Sequence, residues 1–232
     1  MTVSPFLDIA AFIWILVCWI GYTGFADHSH WRSESAMAAM DAYRTRWMKR
    51  MIERAPRIED IQIIGNLMRS VSFFASTAIF VLAGLVAVLG AADRAHEVIS
   101  GLPFTVRTTP GMWQLKVLFL IVIFVYAFFK FTWSLRQFNY LSIMVGGAPA
   151  PGGDNPDDAD YADRAARVSV TAATHFNRGI RAYYFGLATL SWFVHPWLFI
   201  SLSAWVVLVL YRREFRSRIL RALGLPDSRA WP

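Results

Sequence analysis

The feature that most constrains this chain is Tyr183–Tyr211, a run of 29 residues without Asp, Glu, Lys or Arg. As an α-helix the run would extend about 43 Å, whereas the hydrocarbon of a bilayer is about 30 Å thick. It is therefore too long for one upright crossing and just long enough for two short ones. Pro196, near its middle, disrupts a helix because proline lacks an N–H and clashes with the preceding turn. The run predicts two spans joined by a tight turn, with one tilted, kinked helix as the alternative.

Three other apolar runs are long enough to cross hydrocarbon as helices, in which every backbone amide is paired internally. The first lacks a basic flank before it, so we interpret it as a retained anchor rather than a signal peptide. The fold class predicted is all-α, a polytopic transmembrane helical bundle forming a single membrane domain over residues 1–232. The five predicted spans are 9–26, 71–92, 111–135, 179–194 and 197–211.

The distribution of lysine and arginine favours five spans over four. Residues 27–70 contain eight basic residues, and the segment between the second and third spans contains two. Five spans with the N-terminus outside place 19 basic residues in the cytoplasm and two outside, whereas four spans give 13 and eight. The positive-inside rule selects the first arrangement. The sequence thus predicts a protein of the bacterial inner membrane with a periplasmic N-terminus and a cytoplasmic C-terminus.

The composition fits this class and limits the partners. The chain is 56% apolar with a net charge of +7. The positive-inside bias and attraction to anionic headgroups explain that charge, so the expected partner is the lipid bilayer and not nucleic acid. The single cysteine, Cys18, excludes an internal disulfide.

The segments between spans are predicted to be cytoplasmic and helical. An amphipathic helix with a basic face and a Met/Trp face begins at Ser35 and ends before Pro56, and such a helix is suited to lying on a membrane surface. A groove for a partner protein is the alternative use of that face. Residues 146–157 are rich in Gly and Pro and predict a flexible loop, followed by a helix to about Phe176.

The sequence contains little that indicates catalysis. Asp27, His28 and His30 are clustered ligand types, and they are weak candidates for a metal because two-ligand fragments without cysteines do not make a complete site. The sequence has no glycine-rich phosphate loop, zinc-protease motif or nucleophile elbow. We therefore predict no metal and no cofactor, and an enzyme is not favoured.

Polar residues in the third span are better candidates for a functional site. Lys130, Ser134 and Gln137 share one helix face, with Arg136 and Asn139 following on the same helix. The face could border a pathway for anions, or it could consist of a snorkelling lysine and interhelical hydrogen bonds. Lys116, near the outer edge of the span, is expected to snorkel.

Several short motifs, in this order and spacing, resemble the bacterial and plant membrane family called domain of unknown function 599. They are Asn66 ahead of Phe73-Phe-Ala-Ser-Thr77 and Ala83-Gly-Leu85, then Ser134-Leu-Arg136-x-x-Asn139, then Arg178-Gly179 and Arg181-Ala-Tyr-Tyr184. The resemblance spans nearly the whole chain. It implies a multi-span membrane protein and no known activity. We expect Asn66, Arg178 and Arg181 at the cytoplasmic interface.

Three classes of function stay open at this point. The chain could be a small oligomeric channel or transporter that uses the Lys130 face, or a non-catalytic scaffold or accessory subunit. A lipid- or metal-dependent membrane enzyme is less favoured than either. In span two, Ser72, Ser76 and Gly84 lie on one stripe, and small residues let helices approach closely, so a homo-oligomer is expected.

Overall fold

The structure is a computed structural model that describes residues 5–92, 94, 97–98, 109–152 and 157–223. Every regular element in these ranges is a helix, which confirms the predicted all-α fold class. The elements are α1 (Pro5–Leu16), a π-helical turn (Val17–Gly21), α2 (Tyr22–His28), a 3-10 turn (His30–Glu34), α3 (Ala36–Ile52), α4 (Ile58–Gly90), α5 (Pro110–Gly146), α6 (Asp157–Leu190), a second 3-10 turn (Ser191–Phe193), α7 (Pro196–Phe215) and α8 (Arg218–Leu223).

Three helices in the described ranges are long and apolar enough to cross a membrane: Phe6–His28, Ile58–Gly90 and Pro110–Gly146. The first consists of α1, the π-helical turn and α2 in uninterrupted succession. These helices coincide with the first three apolar runs of the sequence and indicate a membrane protein. The fourth and fifth crossings stay a prediction.

Helix boundaries outside the spans agree in part with the sequence pattern. Ser35 caps α3, since its hydroxyl accepts a hydrogen bond from the Ala38 amide at 3.1 Å. The expected end of a helix near Phe176 is wrong, because α6 continues to Leu190. No proline lies between Pro156 and Pro196, so the sequence contains no such helix breaker near Phe176. The predicted loop 146–157 begins where α5 ends, and residues 153–156 lie outside the described ranges.

The chain divides into two compact units. The first comprises Met1–Ser29, Ser76–Phe129 and Arg178–Tyr211. The second comprises His30–Ala75, Lys130–Asn177 and Arg212–Pro232. Each of α4, α5, α6 and α7 contributes residues to both units.

In the first unit, contacts along the first helix fix the direction of α6 and α7. Asp27 contacts Arg178 and Asp8 contacts Trp192, so this part of α6 runs antiparallel to the first helix. The Trp14 indole donates to the Ile200 carbonyl, and the Phe25 ring lies 6.5 Å from the Tyr211 ring, so α7 runs parallel to the first helix. The chain therefore reverses direction between α6 and α7.

The reversal occurs at the His-Pro pair. His195 precedes α7, and its Nδ1 accepts a hydrogen bond from the Trp197 amide at 3.1 Å. Pro196 occupies the first position of the helix, where its missing N–H costs nothing and its fixed φ suits the helix. A hydrophobic core of the first unit includes Ala11, Ile15, Cys18, Tyr22, Ala26, Phe185, Trp192, Phe199 and Leu210.

One glycine marks a close approach of α5 and α6. A Cβ at Gly186 would lie 3.0 Å from the Phe124 ring and 3.3 Å from the Ile123 side chain. Both neighbours are buried. The two helices therefore pack at a separation that only glycine allows without a shift of its neighbours.

In the second unit, three phenylalanines tie α4, α5 and α6 together. The ring centroids of Phe74, Phe131 and Phe176 lie 5.7 to 5.9 Å from one another. Ring pairs at this separation stabilise packing beyond the area that they bury. The Tyr161 hydroxyl adds a hydrogen bond of 2.7 Å to the Met144 carbonyl, between α6 and α5.

Candidate functional site

A buried ion pair lies at one end of the first unit. The Asp8 carboxylate accepts from Lys116 Nζ at 2.9 Å and from the Trp192 indole at 2.7 Å. Lys116 Nζ also donates to the Trp192 carbonyl at 3.3 Å and lies 5.0 Å from the centroid of the Trp192 ring system. Asp8 is 4% exposed and Lys116 is 1% exposed. These contacts join α1, α5 and the end of α6.

The ion pair corrects the expectation that Lys116 snorkels. A snorkelling lysine keeps its ammonium in water, whereas this ammonium is enclosed and compensated by a carboxylate. An apolar cavity of about 380 Å³ adjoins the pair. Its lining is Asp8, Ile9, Phe12, Met112, Leu115, Leu118, Phe119, Val122 and Trp192.

A second buried charge cluster lies at the other end of the first helix. Asp27 accepts from Arg178 Nε at 2.6 Å and from Arg181 at 2.7 Å, one arginine on each carboxylate oxygen. Asp27 is 5% exposed and Arg181 is 4% exposed. The Arg181 guanidinium also lies 5.6 Å from the centroid of the Tyr22 ring. Hydrogen bonds between ionised groups are about twice as strong as neutral ones, so this cluster fastens α2 to α6.

The separation of the two clusters matches a bilayer. Asp8 and Asp27 lie on one continuous helix, and about 28 Å of helix separates them. The hydrocarbon of a bilayer is about 30 Å thick. Each cluster therefore lies near an end of the candidate span, where charged groups cost least.

The second unit contains a third buried carboxylate. Asp60 is fully buried and accepts from the Trp47 indole at 2.6 Å and from Arg54 Nε at 3.3 Å. The hydrogen bond to Asp60 raises the pKa of Arg54 above its ordinary value. A small pocket of about 240 Å³ lies beside Trp47 and Arg54. Its lining is Tyr43, Arg46, Trp47, Arg50 and Arg54.

The residues of the predicted polar face lie in different environments. Ser134 is fully buried and donates to the Ala172 carbonyl on α6 at 2.8 Å. Arg136 and Asn139 are exposed, and Arg136 Nε donates to the hydroxyl of a neighbouring tyrosine one turn along α5. Lys130 and Gln137 are half-buried. The Ser134 contact is an interhelical hydrogen bond of the kind that the alternative interpretation of this face expects.

The three residues that were expected at the cytoplasmic interface do not form one cluster. Arg178 and Arg181 meet at Asp27, whereas Asn66 is exposed on α4 and accepts a hydrogen bond from Arg69.

The weak metal candidates share little with one another. His28 and His30 are exposed, and the Asp27 carboxylate binds the two arginines. Within the described ranges, no group of three or more His, Cys, Asp or Glu side chains lies close enough to hold a metal ion.

Sequence reasoning missed the pairing of Asp8 with Lys116 and the burial of Asp60. A signal for the first pair was available. In the five-span topology, Asp8 begins the first span and Lys116 lies near the outer edge of the third, so opposite charges share one side of the membrane. Charges in hydrocarbon are rare and usually pair with one another. For Asp60 the sequence contains no comparable signal, because its partners are Trp47 on α3 and Arg54 in the segment between α3 and α4.

The fold and the charge clusters together define a helical membrane protein in which buried carboxylates form ion pairs with lysine and arginine side chains of the same chain. The profile of the family described as "Protein of unknown function, DUF599" matches residues 10–219. The chain therefore belongs to the DUF599 family, and the resemblance inferred from its motifs is confirmed. Searches of the curated proteins and of the solved structures found no match to the chain.

Proposed function

We propose that the protein is a non-catalytic scaffold or accessory subunit of a bacterial inner membrane. The observation that carries this proposal is how the buried carboxylates Asp8, Asp27 and Asp60 are used. Each is held by a lysine or arginine of the same chain at hydrogen-bonding distance. Charges in such closed pairs hold helices together and are not available to an ion or substrate without breaking the pair.

The arrangement of helices supports the proposed topology of five spans with a periplasmic N-terminus. The chain reverses direction between α6 and α7, next to Pro196, as two adjacent crossings require. Under this topology the Asp8 cluster lies at the periplasmic end of the first span and the Asp27 cluster at its cytoplasmic end. The exposed basic residues of α3 would then meet the anionic inner leaflet, whose headgroups attract lysine and arginine.

Exposure of the small-residue stripe supports a homo-oligomer. Ser72, Ser76, Phe80 and Gly84 are all exposed on α4, and within the described part of the chain a Cβ added at Gly84 meets no atom within 4 Å. A stripe that is unpacked within one chain is open to another copy of the chain. Oligomerisation is what a scaffold of this size would use to present a larger surface.

An ion-flux measurement tests the scaffold role. Purified protein is reconstituted into proteoliposomes, and anion and cation flux are compared with protein-free vesicles and with vesicles that contain a known channel. We expect no flux above the protein-free background. Flux that rises with the amount of reconstituted protein would contradict the scaffold role.

A channel is the second candidate, favoured by the half-buried positions of Lys130 and Gln137 beside Ser134. A lysine near a pore raises the local concentration of anions and opposes cations. In a channel, Lys130→Gln would change anion flux, whereas Lys49→Gln, at an exposed salt bridge on α3, would not. Equal, background flux in all three proteins leaves the scaffold role as the better account.

A further inference from the structure

We propose that a pocket at the C-terminal end of the first helix binds an anionic phospholipid, with the phosphate on Arg178 and an acyl chain against Trp19 and Ile20. The inference goes beyond the scaffold role, because it assigns a ligand to a site. The pocket has a volume of about 440 Å³ and is formed by α2 with its preceding turn, by α5 and by α6. Trp19 and Tyr126 form its aromatic wall, with their rings edge to face at 5.2 Å.

The charge of the pocket is suited to a phosphate. Arg178 and Arg181 share the single carboxylate of Asp27, so the cluster has one positive charge in excess. Arg178 lines the pocket, its side chain is 26% exposed, and its contact with Asp27 comes from Nε. A guanidinium has five N–H donors in a fork that matches phosphate oxygens, so Arg178 can bind an oxyanion while it keeps Asp27.

A buried hydroxyl in the same pocket supports a polar ligand. Thr23 Oγ1 is buried and has no hydrogen-bond partner among the described residues. A threonine in a helix commonly donates to the carbonyl one turn back, as Thr189 does to Phe185 at 2.8 Å. Buried polar groups are normally paired, so the unpartnered hydroxyl of Thr23 is available to a polar atom of a ligand.

The pocket has a charged end and an apolar end, as a phospholipid has. His28, at the exposed rim, ends the candidate span, so the charged end lies at the level of the headgroups. Trp19 and Ile20 lie about two helical turns toward the hydrocarbon, and Ile20 is 65% exposed. Basic pockets between transmembrane helices are known to bind anionic headgroups. A free phosphate would use the same arginine but not the apolar wall.

Two glycines of the same helix provide a matched test. Among the described residues, no atom lies within 4 Å of a Cβ built at Gly24, in the pocket, or at Gly21, which lines a different pocket. Both glycines are exposed on the same helix, so leucine at either position begins in open space and adds comparable bulk. Gly24→Leu fills the pocket while leaving Asp27 and its arginines unchanged, and Gly21→Leu is its control.

Binding is measured by native mass spectrometry of the full chain in detergent with phosphatidylglycerol or phosphatidylcholine at equal concentration. Both lipids have a phosphate that can accept from Arg178, but the choline ammonium of phosphatidylcholine is repelled by the excess positive charge of the cluster. We therefore expect the wild type to retain phosphatidylglycerol about tenfold more than phosphatidylcholine. Gly24→Leu should reduce retention of phosphatidylglycerol by a similar factor, and Gly21→Leu should not. Equal retention of the two lipids, or equal effects of the two substitutions, would overturn the proposal.

A second pair of variants tests the headgroup contact independently. Arg178→Gln should abolish the preference for phosphatidylglycerol, and Arg178→Lys, which keeps the charge, should retain part of it. Inorganic phosphate in large excess over the lipid should displace little of it, because phosphate competes for Arg178 alone and gains no contact with the apolar wall. Displacement of the lipid by phosphate alone would identify the ligand as free phosphate and refute the lipid site.

Discussion

The buried pair of Asp8 and Lys116 allows a quantitative prediction. Asp8→Asn leaves a buried ammonium without its carboxylate, and Lys116→Met leaves a buried carboxylate without its ammonium. Removing one partner of a buried ion pair typically costs about 3–5 kcal/mol of stability. We expect each single substitution to reduce the free energy of unfolding by about this amount.

The double variant decides whether the two charges act as a pair. Independent effects would sum to roughly 6–10 kcal/mol. In the double variant no unpaired charge remains, the introduced asparagine side chain can still accept from the Trp192 indole, and methionine replaces the lysine stem with an apolar chain of similar length. We therefore expect the double variant to lose less than about 3 kcal/mol, less than either single variant.

The free energy of unfolding is measured by titration with a denaturing detergent in mixed micelles, followed by far-UV circular dichroism. Leu115→Met, at an exposed position of the same helix, is the control and should change stability by less than about 0.5 kcal/mol. Additive losses, or single variants as stable as the wild type, would refute the conclusion that the two charges are buried together and stabilise each other.

Three further predictions concern topology, assembly and packing. A reporter fused to the C-terminus should be cytoplasmic and one fused to the N-terminus periplasmic, because basic residues then face the cytoplasm; both on one side would contradict five spans. Leucine at both Ser76 and Gly84 should reduce the oligomer mass in detergent without unfolding the chain, since no described residue contacts a Cβ at Gly84; an unchanged mass would show that this stripe faces lipid. Gly186→Ala should lower the melting temperature through contact with Phe124, at a cost of about 1–3 kcal/mol for overpacking that exceeds the gain in helix propensity, whereas Gly84→Ala should not; similar melting of both would argue against the close approach of α5 and α6.

Much of the fold could be predicted because membrane helices are encoded in short stretches of sequence. The absence of charge over 9–26 and 71–92 requires helices, since only internally bonded backbone is stable in hydrocarbon. Ser35 predicts the start of α3 through its cap, and Pro196 predicts the break between α6 and α7. The predicted helix end near Phe176 is wrong, because the helix continues to Leu190 and no proline near Phe176 interrupts its backbone.

The candidate sites could be predicted less well. Lys116 and Asp8 are 108 positions apart, and Asp27 is 151 positions from Arg178. Sequence indicates that a charge in a span needs compensation, and it leaves open whether water, a headgroup or another side chain supplies it. The expectation that the Lys116 ammonium reaches water is wrong, since the ammonium is enclosed by α1 and by the turn that follows α6.

The sequence by itself determined the helical class, the family and the distribution of basic residues on which the topology rests. These depend on local properties, namely apolar length, helix caps and breakers, and charge between spans. Only the tertiary structure decided that Arg178 and Arg181 share the Asp27 carboxylate and that the Ser134 hydroxyl donates a hydrogen bond to the Ala172 carbonyl. The physical reason is that a buried polar group requires a partner within about 3 Å, and which distant residue reaches it depends on how the helices pack.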